Sequence, residues 1–312
     1  MRVRELAVIA AVGVLVFAMV GTYLMNAPVH ESAKGVASPP HPGSPTHFGH
    51  PLISAGTGPL SPAAAISLSC PYSLASQCLA SYNWGGYVVY NSSYSVTKVV
   101  GTWFIPVITG STSTTCPDIQ KTWDSNSIWI GIDGASTPTV EQTGTSSDCF
   151  YGQTSYYAWY EFYPSGSVQV PITVSPGDKI TASVLFTGNN ATGVPTFQTT
   201  ITDVTTAKTF TSPKTAVPGA LRESAEWIDE SPYYLGFLGL TKMNQVNFTG
   251  ASATIGGVSG VISHWGTHNV YWFVMVDYNF PYSKTITYVK AEPTVLYPTG
   301  TGFRVTWVSD GP

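Results

Sequence analysis

From about Ser81 onward the chain is a succession of short runs of Val, Ile, Thr, Tyr and Trp, each cut off by Gly, Pro, Asn or Asp. That rhythm constrains the fold more than any other feature. β-Branched and aromatic side chains suit a pleated surface, and the frequent turn residues leave no window long enough for an amphipathic helix. The runs are Tyr87–Tyr90, Val96–Ile105, Ile128–Ile132, Tyr156–Tyr163, Val168–Val174, Lys179–Thr187, Thr196–Thr202, Ala225–Ile228, Asn269–Tyr278, Ser283–Val289 and Phe303–Val308. Turn signals such as Pro176-Gly177-Asp178 and Gly188-Asn189-Asn190 separate them. Many short strands at this spacing predict an all-β fold, an antiparallel β-sandwich or jelly roll, over residues 81–312.

The N-terminus reads differently. Arg2 and Arg4 precede an apolar run from Leu6 to about Met25. Residues 1–25 therefore read as a hydrophobic helix serving as a signal peptide or an uncleaved signal anchor, with membrane anchoring through residues 6–25 in the second case. Either way the remainder faces outward. Residues 26–80 are mostly rich in Pro, Ser, Gly, Ala and His and are expected to form a disordered linker, stalk or pro-segment. An exported chain with four cysteines suggests disulfides. Local closure favours Cys70–Cys78 and Cys116–Cys149, and with no CxxC a zinc site is not expected.

Charge narrows the function classes. Only 10% of residues are charged, and 13 Lys and Arg are too few for a nucleic-acid footprint. A chain with few basic groups also gains little self-repulsion when its carboxylates protonate, which suits acidic surroundings.

Five segments mix Trp with carboxylates: Asn83-Trp84-Gly85-Gly86-Tyr87, Trp129 to Gly134, Glu141-Gln142-Thr143-Gly144, Ala158 to Pro164, and Ala225 to Glu230. Strand alternation puts Ile128, Ile130 and Ile132 on one face and Trp129, Gly131 and Asp133 on the other. Likewise Trp159 and Glu161 share a face, as do Glu226 and Glu230. One face belongs in a core; the other reads as an open, aromatic and acidic cleft.

Taken together and in this order, the five segments resemble those of the glutamic peptidases, or eqolisins, over roughly residues 81–235, and Phe303 to Trp307 also fits. Gln-Thr-Gly and Ala-Glu-Trp-Ile-x-Glu are the specific parts. The resemblance implies two large sheets packed as a concanavalin A-like sandwich, acidic endopeptidase activity and no cofactor. It implies Gln142 and Glu230 as the catalytic pair, with Trp84, Trp129, Asp133, Trp159, Glu161 and Glu226 lining or supporting the substrate cleft. Protein or peptide substrates and a monomer are expected. The chain departs from the fungal pattern at Tyr157 and at Asp229. The chemistry suits these residue types. A carboxylate can take a proton from water and return one to the leaving nitrogen, and an amide can donate to an oxyanion at any pH.

Two other readings compete. A glycoside hydrolase needs paired carboxyls within about 10 Å. Glu226 and Glu230 on one strand are roughly 13 Å apart and cannot be that pair, whereas Glu161 with Glu230 could. A lectin-like binding module would use the same aromatic faces without catalysis. His264 and His268 lack the neighbouring Glu of a metalloprotease helix, and no Gly-x-Ser-x-Gly elbow is present.

Overall fold

The computed structural model describes residues 67–68, 77–109, 123–150, 153–233, 238–266, 268–278 and 286–311. The hydrophobic run at residues 6–25 and most of the linker expected at 26–80 lie outside the described residues. Among the described residues no helix is long and apolar enough to cross a membrane.

Strands dominate the described residues. The principal strands are β1 (Gln77–Ser81), β2 (Trp84–Tyr90), β3 (Val96–Phe104), β4 (Trp123–Ile132), β5 (Val140–Phe150), β6 (Gln153–Tyr163), β7 (Lys179–Asn189), β8 (Pro195–Asp203), β9 (Ser224–Glu230), β10 (Gln245–Ile255), β11 (Val270–Tyr278), β12 (Ile286–Pro293) and β13 (Phe303–Trp307). A short 3-10 turn at Ile262–Trp265 is the single helical element among them.

Hydrogen bonding orders one half as β1-β11-β2-β9-β4-β5-β6. The other half runs β8-β7-β3-β10. β10 joins them: its first residues, Gln245–Phe248, pair with β13, and Thr249–Ile255 pair with β3. The ladder shifts register between Thr249 and Ser252, where Gly250 takes φ 60°, and this bulge lets one strand serve both halves. The described strands thus form a continuous 19-stranded sheet beside a separate two-stranded pair. Most pairings are antiparallel; β1 with β11, and Gly239–Leu240 with β4, are parallel.

The two halves share one core. Val99, Trp103, Ile180, Val184, Phe197 and Ile201 from the second half cluster with Ile128, Ile130, Ile132, Ala225 and Trp227 from the first. Polar ends are satisfied across it: Trp103 Nε1 donates to Thr145 Oγ1 at 2.9 Å, and Trp227 Nε1 to the Val100 carbonyl at 2.8 Å. Each such aliphatic or aromatic side chain, once buried, contributes about 1.5–3 kcal/mol.

The expected strands form among the described residues, with residues 283–285 of the Ser283–Val289 run lying outside them and with three instructive differences. The Val168–Val174 run makes a strand only over Val168–Gln169, since Pro171 has no N–H to offer a ladder. β5 and β10 are absent from the expected set. β5 carries polar residues on both faces, and the bulge in β10 reverses its alternation halfway along, so neither shows a period of two. The sheet also begins earlier than residue 81: β1 and the pair Ser67–Leu68 add strands beyond β11. Cys78 and Cys149 are disulfide-bonded. Cys70 and Cys116, and with them the expected pairings, lie outside the described residues.

Candidate active site

In an antiparallel block, directly opposed residues project from the same face. Across β9-β4-β5-β6 three such ranks follow one another. The first is Glu226, Gly131, Gln142, Glu161; the second is Ile228, Trp129, Gly144, Trp159; the third is Glu230, Ser127, Ser146, Tyr157. β2 extends them with Val88, Gly86 and Trp84. Gln142 and Glu230 therefore stand on one face, with β4 between their strands and the Trp129 rank between their positions.

Two glycines make room for that arrangement. A Cβ on Gly144 would lie 2.3 Å from the Ile128 carbonyl oxygen and 2.6 Å from Trp129 Cβ. One on Gly131 would lie 2.9 Å from Trp129 Cζ3. The Trp129 ring thus leans over Gly131 on its own strand, and Gly144 lets β5 lie close against the Trp129 backbone, which explains the Gly of Gln-Thr-Gly and that of Trp-Ile-Gly. Trp84 packs edge-on against Trp129 with ring centroids 5.0 Å apart. Together with Trp159, Ile228, Val140 and Phe273 these rings form a second apolar cluster, separate from the main core.

The expectation of an open face is corrected here. Trp84, Trp129, Gln142, Glu161, Glu226 and Glu230 are all fully buried, and Trp159 nearly so. The indoles are large enough to fill the space between ranks, so the polar groups among them are enclosed.

Glu230 accepts hydrogen bonds from Asn83 Nδ2 at 3.0 Å and from Trp129 Nε1 at 2.7 Å. Ser81 Oγ donates to Asn83 Oδ1 at 3.2 Å and so fixes which way the Asn83 amide points. Burial pushes the Glu230 carboxyl well above the usual carboxylate range; the two N–H donors oppose this and the charge of Glu161 adds to it. Donors that favour the anion and surroundings that favour the acid suit a group that must take up a proton and give it back. Gln142 Nε2 donates to Glu161 Oε2 at 2.6 Å, while Gln142 Oε1 has no partner among the described residues.

The other candidates are placed as follows. Asp133 sits at φ 68° and its carboxylate accepts the backbone N–H groups of Leu221, Arg222 and Glu223, each at 2.8 Å. It clamps the loop that leads into β9. Glu226 shares a rank with Gln142, is fully buried, and neither carboxyl oxygen has a partner among the described residues. Burial pushes Glu226 and also Glu141 well up. Trp159 Nε1 donates to Ser146 Oγ at 2.9 Å, and Ser146 shares a 2.7 Å hydrogen bond with Ser127.

Sequence reasoning passed over Asn83, although its segment was singled out. An Asn before Trp-Gly-Gly reads as a turn residue, and nothing local reveals that it reaches a carboxylate 147 positions away. It also passed over Asp148, which accepts from Ser125 Oγ at 2.6 Å and is raised to about 7 by burial. Asp229 accepts from Asn126 and is raised to about 8 by burial. Among the described residues no cluster of His, Cys, Asp and Glu fits a metal ion.

Comparison with known proteins bears on this site directly. Residues 82–291 match the model of the peptidase A4 family. The chain is 34% identical over 193 residues to aspergillopepsin-2 of Aspergillus niger, covering 57% of this chain and 66% of that protein. It is 32% identical over 151 residues to scytalidopepsin B of Scytalidium lignicola, covering 47% of this chain and 51% of that protein. The matches thus span just under two thirds and about half of these curated relatives. A solved structure of scytalido-glutamic peptidase with a peptide-based transition state analog superposes with a TM-score of 0.56 at 25% identity, over 73% of this chain and 98% of that one. A second, with a transition state analog inhibitor, gives 0.56 at 24% and supports the fold.

Proposed function

The chain belongs to the peptidase A4 family, and from that premise we propose that it is an acid-acting glutamic endopeptidase. The observation that carries this reading is the common face of Gln142 and Glu230, both buried, with Glu161 bonded to the first and its charge felt by the second. In the proposed reaction Glu230 removes a proton from a water as that water attacks the scissile carbonyl. Gln142 donates an N–H to the developing oxyanion and its free Oε1 orients the water. Protonated Glu230 then passes its proton to the leaving nitrogen, and no covalent intermediate forms. Trp84, Trp129, Trp159 and Glu226 enclose and support the pair, and Asp133 holds the loop that leads into β9 in this scheme. The partner is a peptide or protein chain, and the enzyme acts as a monomer.

The finer fold in this proposal is a two-sheet sandwich, with the catalytic pair on the sheet of β9, β4, β5 and β6. Its location is outside the cytoplasm, secreted or anchored by residues 6–25. The apolar run after Arg2 and Arg4 and the disulfide-bonded Cys78 and Cys149 support that placement.

One observation speaks for the rival reading. The charge of Glu161 raises Glu230, and a glycosidase also uses two interacting carboxyls. The bond from Gln142 Nε2 to Glu161 favours the peptidase, because it commits Glu161 to holding an amide. Digestion of casein at acidic pH by the parent, Gln142→Ala and Glu230→Gln, alongside release of reducing sugar from β-glucans, decides between them. Retained proteolysis by Glu230→Gln would remove this residue from the mechanism.

A further inference from the structure

Glu161 deserves a role of its own. It lies directly opposite Gln142 on the neighbouring strand, is fully buried, and takes Gln142 Nε2 at 2.6 Å. A side-chain amide has two unlike ends, and rotation by half a turn exchanges them. In hydrolysis the two orientations are not equivalent. With Nε2 toward Glu161, one N–H is used there and the second N–H and Oε1 remain for substrate and water. With the amide reversed, Oε1 would face a carboxylate oxygen, two acceptors with no hydrogen between them, at a fully buried position. A Glu161 oxygen that accepts from Nε2 therefore favours one orientation of the amide.

We propose that Glu161 is a positioning residue for the hydrolysis, fixing which end of the Gln142 amide meets the scissile carbonyl. This rests on the Gln142 and Glu230 reading given above. Glu161 does not touch the reacting atoms in this scheme; it acts through Gln142. A second effect follows from its charge. Glu230 accepts from Asn83 and Trp129, which do not titrate in the working range, Ser127 stands opposite it and Tyr157 lies farther along the same rank, and the charge of Glu161 acts to raise it. Removing that charge lets Glu230 ionise at lower pH, so the acid limb of the kcat/KM profile moves to lower pH.

Two variants separate these effects, each measured as purified full-length protein with a chromogenic peptide from pH 2 to 7. E161L removes the acceptor. It is expected to lower kcat by about 10²-fold or more with KM changed less than about threefold, since orientation is lost and binding surface is kept. E161Q keeps an acceptor but can also donate, so both amide orientations become accessible. It is expected to retain most of the activity that E161L loses and to shift the acid limb to lower pH. Thermal unfolding at the assay pH checks that both variants are folded; if E161L is not, E161Q and its pH profile alone decide. An E161Q profile superposing on the parent, or a folded E161L with parental kcat, overturns the inference. Gln142→Ala and Glu230→Gln run alongside: if they remain active, the dyad reading fails as well; if they are inactive while the Glu161 variants behave as parent, only the role of Glu161 fails.

Discussion

The two halves of the sheet treat polar residues in opposite ways. In the half built on β9, β4, β5 and β6, polar and acidic side chains are buried: Gln142, Glu161, Glu226, Glu230, Asp148 and Asp229 have no access to solvent. In the half built on β8, β7 and β3, the outer face is a lattice of hydroxyls. Thr249, Thr102, Thr181, Thr202 and Thr209 oppose one another in a single rank across five strands. Thr102 bonds Thr181 at 2.9 Å and Thr202 bonds Thr209 at 2.9 Å, and no group in the rank titrates in the working range. Burying a carboxyl costs several kcal/mol unless it is neutral or well bonded, whereas a surface hydroxyl pair costs almost nothing. One half therefore concentrates the destabilising buried carboxyls, the proposed catalytic pair among them, and the other, with the shared core, offsets them.

Substitutions can break this contrast, the largest effect coming first. Glu230→Ala should lower kcat/KM by about 10²–10⁴-fold and cost about 1–3 kcal/mol of stability, since the buried Asn83 and Trp129 donors lose their acceptor; peptide turnover and the unfolding midpoint together test this. Trp227→Ala should destabilise by about 3–5 kcal/mol, because this fully buried ring fills the space between the halves; denaturant unfolding reads it.

pH should move the two halves differently. Asp229 and Asp148 have folded values raised from 3.8 to about 8 and about 7, both by burial. A raised acid is favoured neutral in the fold, so its stabilising contribution is complete below about pH 4 and is lost as pH climbs toward those values. The unfolding temperature should fall between about pH 4 and 8, and less steeply in Asp229→Asn. An unchanged slope in that variant would show that Asp229 is not the group responsible. At the small end, Thr202→Val on the hydroxyl rank should shift stability by no more than about 0.5 kcal/mol and by the same amount at every pH. A pH-dependent shift there would erase the distinction between the halves.

Much of the candidate site was legible in the sequence because its motifs are local. Trp129, Asp133, Glu161 and Glu230 stand out by alternation within single strands, and the resemblance assigned Gln142. What alternation could not convey was β5, the strand that bears Gln142. Its run Val-Glu-Gln-Thr-Gly-Thr-Ser-Ser-Asp is polar toward both faces and reads as a loop. Both of its faces are nonetheless buried, since a polar strand between two partners can satisfy its backbone and most hydroxyls internally.

By itself the amino-acid order determined the class of the fold, since that depends on short-range periodicity and turn chemistry, and its local motifs offered the residue types of the candidate site. Only the tertiary structure decided that Asn83 reaches Glu230, that Glu161 holds Gln142, and that the aromatic face is enclosed. Those contacts join residues 19 to 147 positions apart. Register between strands fixes them, and register is a property of the assembled sheet that no single segment contains.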